Sequence, residues 1–234
     1  FSQQGISLVI TVDCGITAVA EVKQAHKLGL DIIITDHHIP PAETPSALAV
    51  INPKLPGSRY PFTELAGVGV ALKLLQALFQ GMGKEKQLSE LIDLVALGTV
   101  ADMTPLLGEN RYLVNQGLKL INASPRLGLR EMMTQSGLNI TSLDSGVISW
   151  TIAPRLNAAG RLAHAMSSYR LLTTDSPQEA RELAIWLEQK NVERQNLTSK
   201  TQTKARDYVL ARGLTPLLFV TDPDFPTGIC GLVA

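Results

Sequence analysis

The chain has 234 residues, 45% of them hydrophobic, and 21 Lys/Arg balance 21 Asp/Glu, so net charge is zero. That is ample material for one large globular domain, or one domain and part of another. No apolar run approaches the ~18 residues of a membrane span, and no basic leader followed by an apolar stretch and a cleavage site is visible.

The only two cysteines, Cys14 and Cys230, stand far apart. No disulfide framework is expected from them, and the reducing cytoplasm is the expected compartment. The charge is unevenly spread. Residues 1–110 hold 7 Lys/Arg against 11 Asp/Glu, and residues 111–234 hold 14 against 10. An acidic half suits a divalent cation and a basic half suits a phosphate backbone, although differences of this size also arise by chance.

The first fifty residues alternate strand and helix. Leu8–Val12 is a β-branched run suited to a buried parallel strand. Ala18 to Leu28 has helical composition and ends at Gly29; Ile32–Thr35 repeats the strand signal, and Leu48–Ile51 gives a third. This spacing predicts a βαβ unit with a right-handed crossover, hence an open, mainly parallel α/β sheet flanked by helices. Beyond residue 65 the pattern turns helical. Val68–Phe79 and Leu88–Leu97 are apolar at helical spacing, and further helices are expected near 110–122, 126–136, 142–152 and 164–173. Residues 176–212 read as one polar helix, started by Ser176, Pro177 and Glu179 and stopped by Gly213. At 1.5 Å per residue it would run ~55 Å, the length of a bridge between domains. Pro216–Val220 reads as a new strand.

Asp13 follows the first strand and Asp36 the second. In an open parallel sheet ligands bind beyond the carboxyl ends of the strands, so these aspartates should meet there with His37 and His38. Carboxylate and imidazole donors suit Mn²⁺ or Mg²⁺ rather than a thiolate-bound metal. Asp102, in the small-residue stretch Gly98–Asp102, is placed to complete the cluster. Taken singly, each of these residues has an ordinary alternative: an aspartate capping the next helix, or histidines in a surface loop.

The segments Val12–Ile16, Thr35–His38, Ala66–Ala71 and Leu97–Asp102 occur in the order found in the DHH phosphoesterase superfamily, which the chain resembles along nearly its whole length. Ala153–Arg161 narrows the resemblance to members that degrade single-stranded DNA from the 5′ end. The resemblance implies two divalent cations, Mn²⁺ or Mg²⁺, with Asp13 as the bridging carboxylate and His37 and Asp102 as ligands of one ion. It implies that Asp36 orients that histidine and that His38 faces the scissile phosphate, the two forming the catalytic pair. Arg155, Asn157 and Arg161 would hold a strand-terminal phosphate, with Ala158-Ala159-Gly160 allowing close backbone approach.

Domains follow the same resemblance: 1–174 as the phosphoesterase domain, 175–212 as a connecting helix, and 213–234 as the start of a second, truncated domain. The implied function is a metal-dependent 5′→3′ exonuclease of single-stranded DNA in recombination and repair. Its substrate is a strand with a 5′ end, and its partners are a single-strand-binding protein and a helicase. The alternatives are a phosphodiesterase of short oligoribonucleotides or cyclic dinucleotides, and an inactive replication scaffold. The superfamily's first motif, Asp-x-Asp-Gly, does not occur in the chain, and a chain of these residues alone is expected to lack appreciable activity. The cations of residues 190–212, Lys190, Arg194, Lys200, Lys204, Arg206 and Arg212, fit a DNA track or a solvated helix face equally well. His26 and His164 read as structural or surface residues, and Cys14 as a small neighbour of the site rather than a ligand.

Overall fold

The computed structural model describes residues 1–137 and 143–234, and the chain divides into two compact units, Phe1–Ala123 and Ser124–Ala234. In the first unit, β1 (Leu8–Val12), α1 (Val19–Lys27), β2 (Asp31–Thr35) and β3 (Ala49–Ile51) form the expected parallel arrangement. The sheet has the order β1-β2-β3, with Val12 opposite Thr35 and Thr35 opposite Ile51. The three strands therefore end level with one another. Val22, Leu30, Ile32 and Ile34 make a small core between α1 and the sheet.

A second core, Leu65, Val70, Leu72, Val95 and Leu113, joins α2 (Gly67–Met82), α3 (Ile92–Ala101) and α4 (Gly108–Ala123). A seven-residue 3-10 stretch, Glu85–Leu91, precedes α3 where an α-helix from Leu88 is expected. At the other end α3 runs on to Ala101, so the Gly98–Asp102 segment is the last turn of a helix rather than a turn after it. The buried side chains of Thr99 and Val100 hold that last turn in the core, which outweighs the poor helix propensity of Gly98.

The second unit is helical. It comprises α5 (Leu127–Gln135), α6 (Ser145–Val147), a π-helical turn Ile148–Ile152, α7 (Ala153–Leu162), α8 (Met166–Thr173), α9 (Pro177–Arg212) and α10 (Thr227–Val233). Residue 142 of the expected helix 142–152 lies outside the described residues. The start of α9 is as expected: the Ser176 hydroxyl accepts from the Glu179 N–H, and Pro177 occupies the first turn. Its role differs. Helices α5, α7, α8 and α10 all pack on α9, which buries Ala180, Ala184, Leu187, Asn191 and Thr201, so it is the spine of this unit. The observed division at 123/124 accordingly falls ahead of the 174/175 boundary expected from sequence, because helices 127–173 share their core with α9. Residues 216–220 form no strand; Leu217 and Phe219 are exposed, with no neighbouring strand among the described residues.

Helices α3 and α4 approach closely at Gly117. A Cβ there would lie 2.3 Å from the Ala96 Cβ and 2.6 Å from the Ile92 carbonyl oxygen. Gly117→Ala gains helix propensity but meets backbone that cannot yield, so it should lower stability by about 1–3 kcal/mol. Urea denaturation reads this as a lower midpoint at unchanged slope.

Candidate metal centre

The level strand ends bring Asp13 and Asp36 side by side: the Asp13 N–H donates to the Thr35 carbonyl at 2.9 Å and the Asp36 N–H to the Ile51 carbonyl at 3.0 Å. Past these bonds the two aspartates diverge. Asp13 leaves β1 with φ of 64°, in the left-handed region that aspartate tolerates better than most residues. Its carboxylate lies over Gly67, the first residue of α2, where the positive end of the helix favours it. A Cβ on Gly67 would stand 2.1 Å from Asp13 Oδ1, so only glycine leaves room for that carboxylate.

Asp36 turns inward and is 1% exposed. Its Oδ2 accepts from the Ile16 N–H at 2.9 Å, while Oδ1 accepts from the N–H of His37 at 2.7 Å and of His38 at 3.2 Å and contacts His38 Nδ1 at 2.6 Å. Burial by itself would raise the Asp36 pKa, but hydrogen bonds from Ile16, His38 and His37 together hold it below the ordinary carboxylate value. The same bond raises the His38 pKa above that of a free imidazole, against burial and with help from the charges of Asp36, Asp13 and Asp102. Asp36 thus orients the ring of His38, correcting the expectation that it orients His37. At this depth its carboxylate is spent on these protein groups.

The His37 ring, 9% exposed, points the other way. Its Nε2 lies 3.1 Å from Asp13 Oδ1 and 3.4 Å from Asp102 Oδ2, yet neither contact has hydrogen-bond geometry and both ring nitrogens are buried without a hydrogen-bond partner. Asp102 reaches this point from the C-cap of α3. Burial, opposed by His37 and reinforced by the like charge of Asp13, raises its pKa. Two carboxylates converging on an orphaned buried imidazole nitrogen form a donor set that fits a hard divalent cation. Ligand atoms of Asp13, His37 and His38 also lie within 4.8 Å of one another, so His38 belongs to the cluster as well.

Sequence reasoning missed two supports. Asn52, 5% exposed, directly follows β3; its amide donates to the His38 carbonyl at 2.9 Å and its oxygen accepts from the Lys54 N–H at 2.9 Å. Its place at the third strand's carboxyl end was the available signal. Gly67 is the other, visible only as a glycine at a helix start. Cys14 is exposed and free, as expected, and His26 is exposed.

In the second unit, Ala153–Arg161 lies in α7, where Ala158 and Ala159 are fully buried in the helix packing. Arg155 is engaged internally: Nε and Nη2 donate to Glu188 and Nη1 donates to the Thr151 carbonyl at 2.7 Å. Asn157 and Arg161 are exposed. Of the expected cations along α9, Lys190 pairs with Glu193 at 2.7 Å, and Lys204 pairs with Asp222 at 2.7 Å and Asp224 at 3.3 Å. Among the described residues no helix is long and apolar enough to cross a membrane.

Residues 3–99 match the DHH family, N-terminal domain. The matched stretch lies wholly within the first unit. Over 99% of its length the chain is 44% identical to the single-stranded-DNA-specific exonuclease RecJ of Bacillus subtilis (strain 168), covering 29% of that protein. It resembles the crystal structure of RecJ from Thermus thermophilus in complex with Mn²⁺, with a TM-score of 0.82 and 37% identity over 97% of this chain and 34% of that one. A second structure, exonuclease RecJ bound to manganese, gives a TM-score of 0.82 and 35% identity over 100% of this chain and 59% of the other. The chain spans less than half the length of the curated relatives it matches, 29% of the Bacillus protein and 43% of that from Dickeya dadantii. The α/β class expected from the strand and helix spacing is borne out.

Two substitutions test this centre. Gly67→Ala should displace the Asp13 carboxylate and weaken Mn²⁺ binding about 10- to 100-fold in calorimetric titration, with helix content unchanged by circular dichroism. Asp36→Asn removes an acceptor from three backbone N–H groups and from His38; a loss of similar size, about 10- to 100-fold, is expected in the same titration.

Proposed function

We propose that this chain carries the catalytic metal site of a divalent-metal-dependent phosphodiester hydrolase, a 5′→3′ exonuclease of single-stranded DNA. One observation carries the reading: at the carboxyl edge of a parallel sheet, Asp13 and Asp102 converge on the buried His37 Nε2, at 3.1 Å and 3.4 Å from it. Similarity to proteins named as single-stranded-DNA-specific exonucleases supports the substrate class, and the manganese-bound RecJ structures support the cofactor. Asp13, His37 and Asp102 would hold a divalent cation such as Mn²⁺ or Mg²⁺, which would supply an activated water and neutralise charge on the entering and departing oxygens.

The chain's own residues have separable tasks. Asp13 is held by its left-handed backbone and by the room Gly67 leaves, with Oδ1 3.1 Å from His37 Nε2. His37 presents Nε2 from a buried position and carries little freedom to lose on binding. His38 is held through Nδ1 by Asp36, which leaves Nε2 as the nitrogen turned to a phosphate oxygen or a departing hydroxyl. Held this way, the ring offers Nε2 to stabilise negative charge or to give up a proton.

Asp13→Ala, made in the longest protein that carries this chain, should reduce Mn²⁺-supported degradation of 5′-phosphorylated single-stranded DNA by at least about 100-fold. Circular dichroism should remain that of the unsubstituted protein. Near-normal turnover would remove Asp13 from the site. A wild-type protein that leaves single strands intact and cleaves cyclic dinucleotides instead would overturn the exonuclease reading.

A further inference from the structure

Beyond β2 the chain leaves regular structure. Among the described residues no backbone–backbone hydrogen bond involves residues 37–47, so the loop that carries both histidines is held by side chains. The two rings are secured differently. The His37 side chain is 9% exposed and burial fixes it, whereas that of His38 is 59% exposed and Ile39 after it is 81% exposed. An exposed ring gains little from packing, so its place depends on polar anchors.

His38 has two. Asp36 Oδ1 lies 2.6 Å from its Nδ1 and sets the rotation of the ring. Asn52 Nδ2 donates to its carbonyl at 2.9 Å and sets where the backbone beneath the ring stands. Asn52 has little freedom of its own. It is 5% exposed, its Oδ1 accepts from the Lys54 N–H at 2.9 Å, and its carbonyl accepts from the Leu55 N–H at 3.2 Å. It directly follows β3, whose Ile51 pairs with Thr35 of β2. The anchor therefore belongs to the sheet and not to the loop it steadies.

Side-chain chemistry narrows the role. One end of the group must give a hydrogen to a carbonyl while the other takes one from an N–H, and a primary amide does both. An ionised aspartate has no hydrogen to give. A serine hydroxyl can still accept from the N–H two residues on, but it stands one bond shorter and leaves the His38 carbonyl without its donor. We propose that Asn52 is a positioning residue that acts through His38, fixing its backbone while Asp36 fixes its ring. Together they present His38 Nε2 to the phosphate group from one place. The proposal deepens the exonuclease reading and rests on it.

The test uses the longest protein carrying this chain, with Mn²⁺ and a 5′-phosphorylated single-stranded oligonucleotide. Asn52→Leu keeps the shape of the side chain without its polar ends, and the adjoining cavity of about 410 Å³, walled in part by Val50, Leu55, Leu65 and Val70, gives it apolar neighbours. It should lower kcat about 10- to 100-fold with KM unchanged. Calorimetric titration should return an Mn²⁺ affinity within about threefold of wild type, unlike that of Asp36→Asn. Asn52→Ser, which keeps the turn at Lys54, should lose as much as Asn52→Leu; near-wild-type kcat there would assign Asn52 to the turn and overturn the proposal. In the residual activity of His38→Ala, read at excess enzyme, adding Asn52→Leu should cost nothing more, a result that a merely structural role would not give. A further loss as large as in the wild-type background overturns the proposal, as does a fall in Mn²⁺ affinity that matches the fall in kcat. If circular dichroism shows Asn52→Leu unfolded, Asn52→Ser carries the same comparisons. Wild-type kcat in folded Asn52→Leu also overturns it while leaving the exonuclease reading intact, and a wild-type protein inert towards single strands sinks both.

Discussion

The Asp36 carboxylate gathers the N–H groups of Ile16, His37 and His38 and the His38 ring around one buried charge, and the arrangement of the metal centre hangs on it. A carboxylate at this depth is tolerable only when its lone pairs are filled, and each charge-assisted bond is worth about 1.5–3 kcal/mol. Ile16 belongs to the loop leaving β1, whereas His37 and His38 leave β2, so a single side chain ties two strand exits together. Once that tie is made, the His37 ring is turned away from Asp36 and towards Asp13 and Asp102. Adjacent histidines of identical chemistry therefore acquire opposite surroundings, one buried among carboxylates and one open to solvent.

Support for this hub comes from backbone geometry. Parallel pairing of Val12 with Thr35 makes the strand ends level, and the left-handed turn at Asp13 then sends its side chain away from Asp36. Gly67 admits the Asp13 carboxylate to the start of α2, and Asn52 clamps the His38 carbonyl from the end of β3. Asp102 arrives from a different layer, at the end of a helix whose last turn is anchored by Thr99 and Val100. All three strand exits and two helix ends converge on a few side chains.

The arginines of the second unit show the same separation of like residues by environment. Arg155 commits three of its five N–H donors to Glu188 and Thr151, whereas Arg161 and Arg194 donate to neutral oxygens and no carboxylate pairs with them among the described residues. Lys204, ringed by Asp222 and Asp224 and lying over Phe225, is likewise committed to holding the 222–225 segment against α9. Counting cations along a helix does not distinguish these cases, since a carboxylate partner from another helix cancels the charge that composition records.

Much of the architecture was legible in the residues. The β-branched runs at 8–12 and 32–35, separated by a helical stretch ending at Gly29, specify a parallel pair and put Asp13 and Asp36 at its carboxyl edge. Ser176, Pro177 and Gly213 specify the limits of α9, because caps act locally through the first and last turns. What depends on partners distant in sequence was not legible. The helical state of 153–162 and the continuation of α3 to Ala101 follow from burial against other helices, and the apolar run 216–220 is no strand because a strand needs a neighbour. The sequence determined which chemical groups stand at the sheet edge. Only tertiary structure decided which histidine Asp36 holds and which arginine a carboxylate engages, because hydrogen bonds and ion pairs are settled by distances of a few ångströms between residues far apart in the chain.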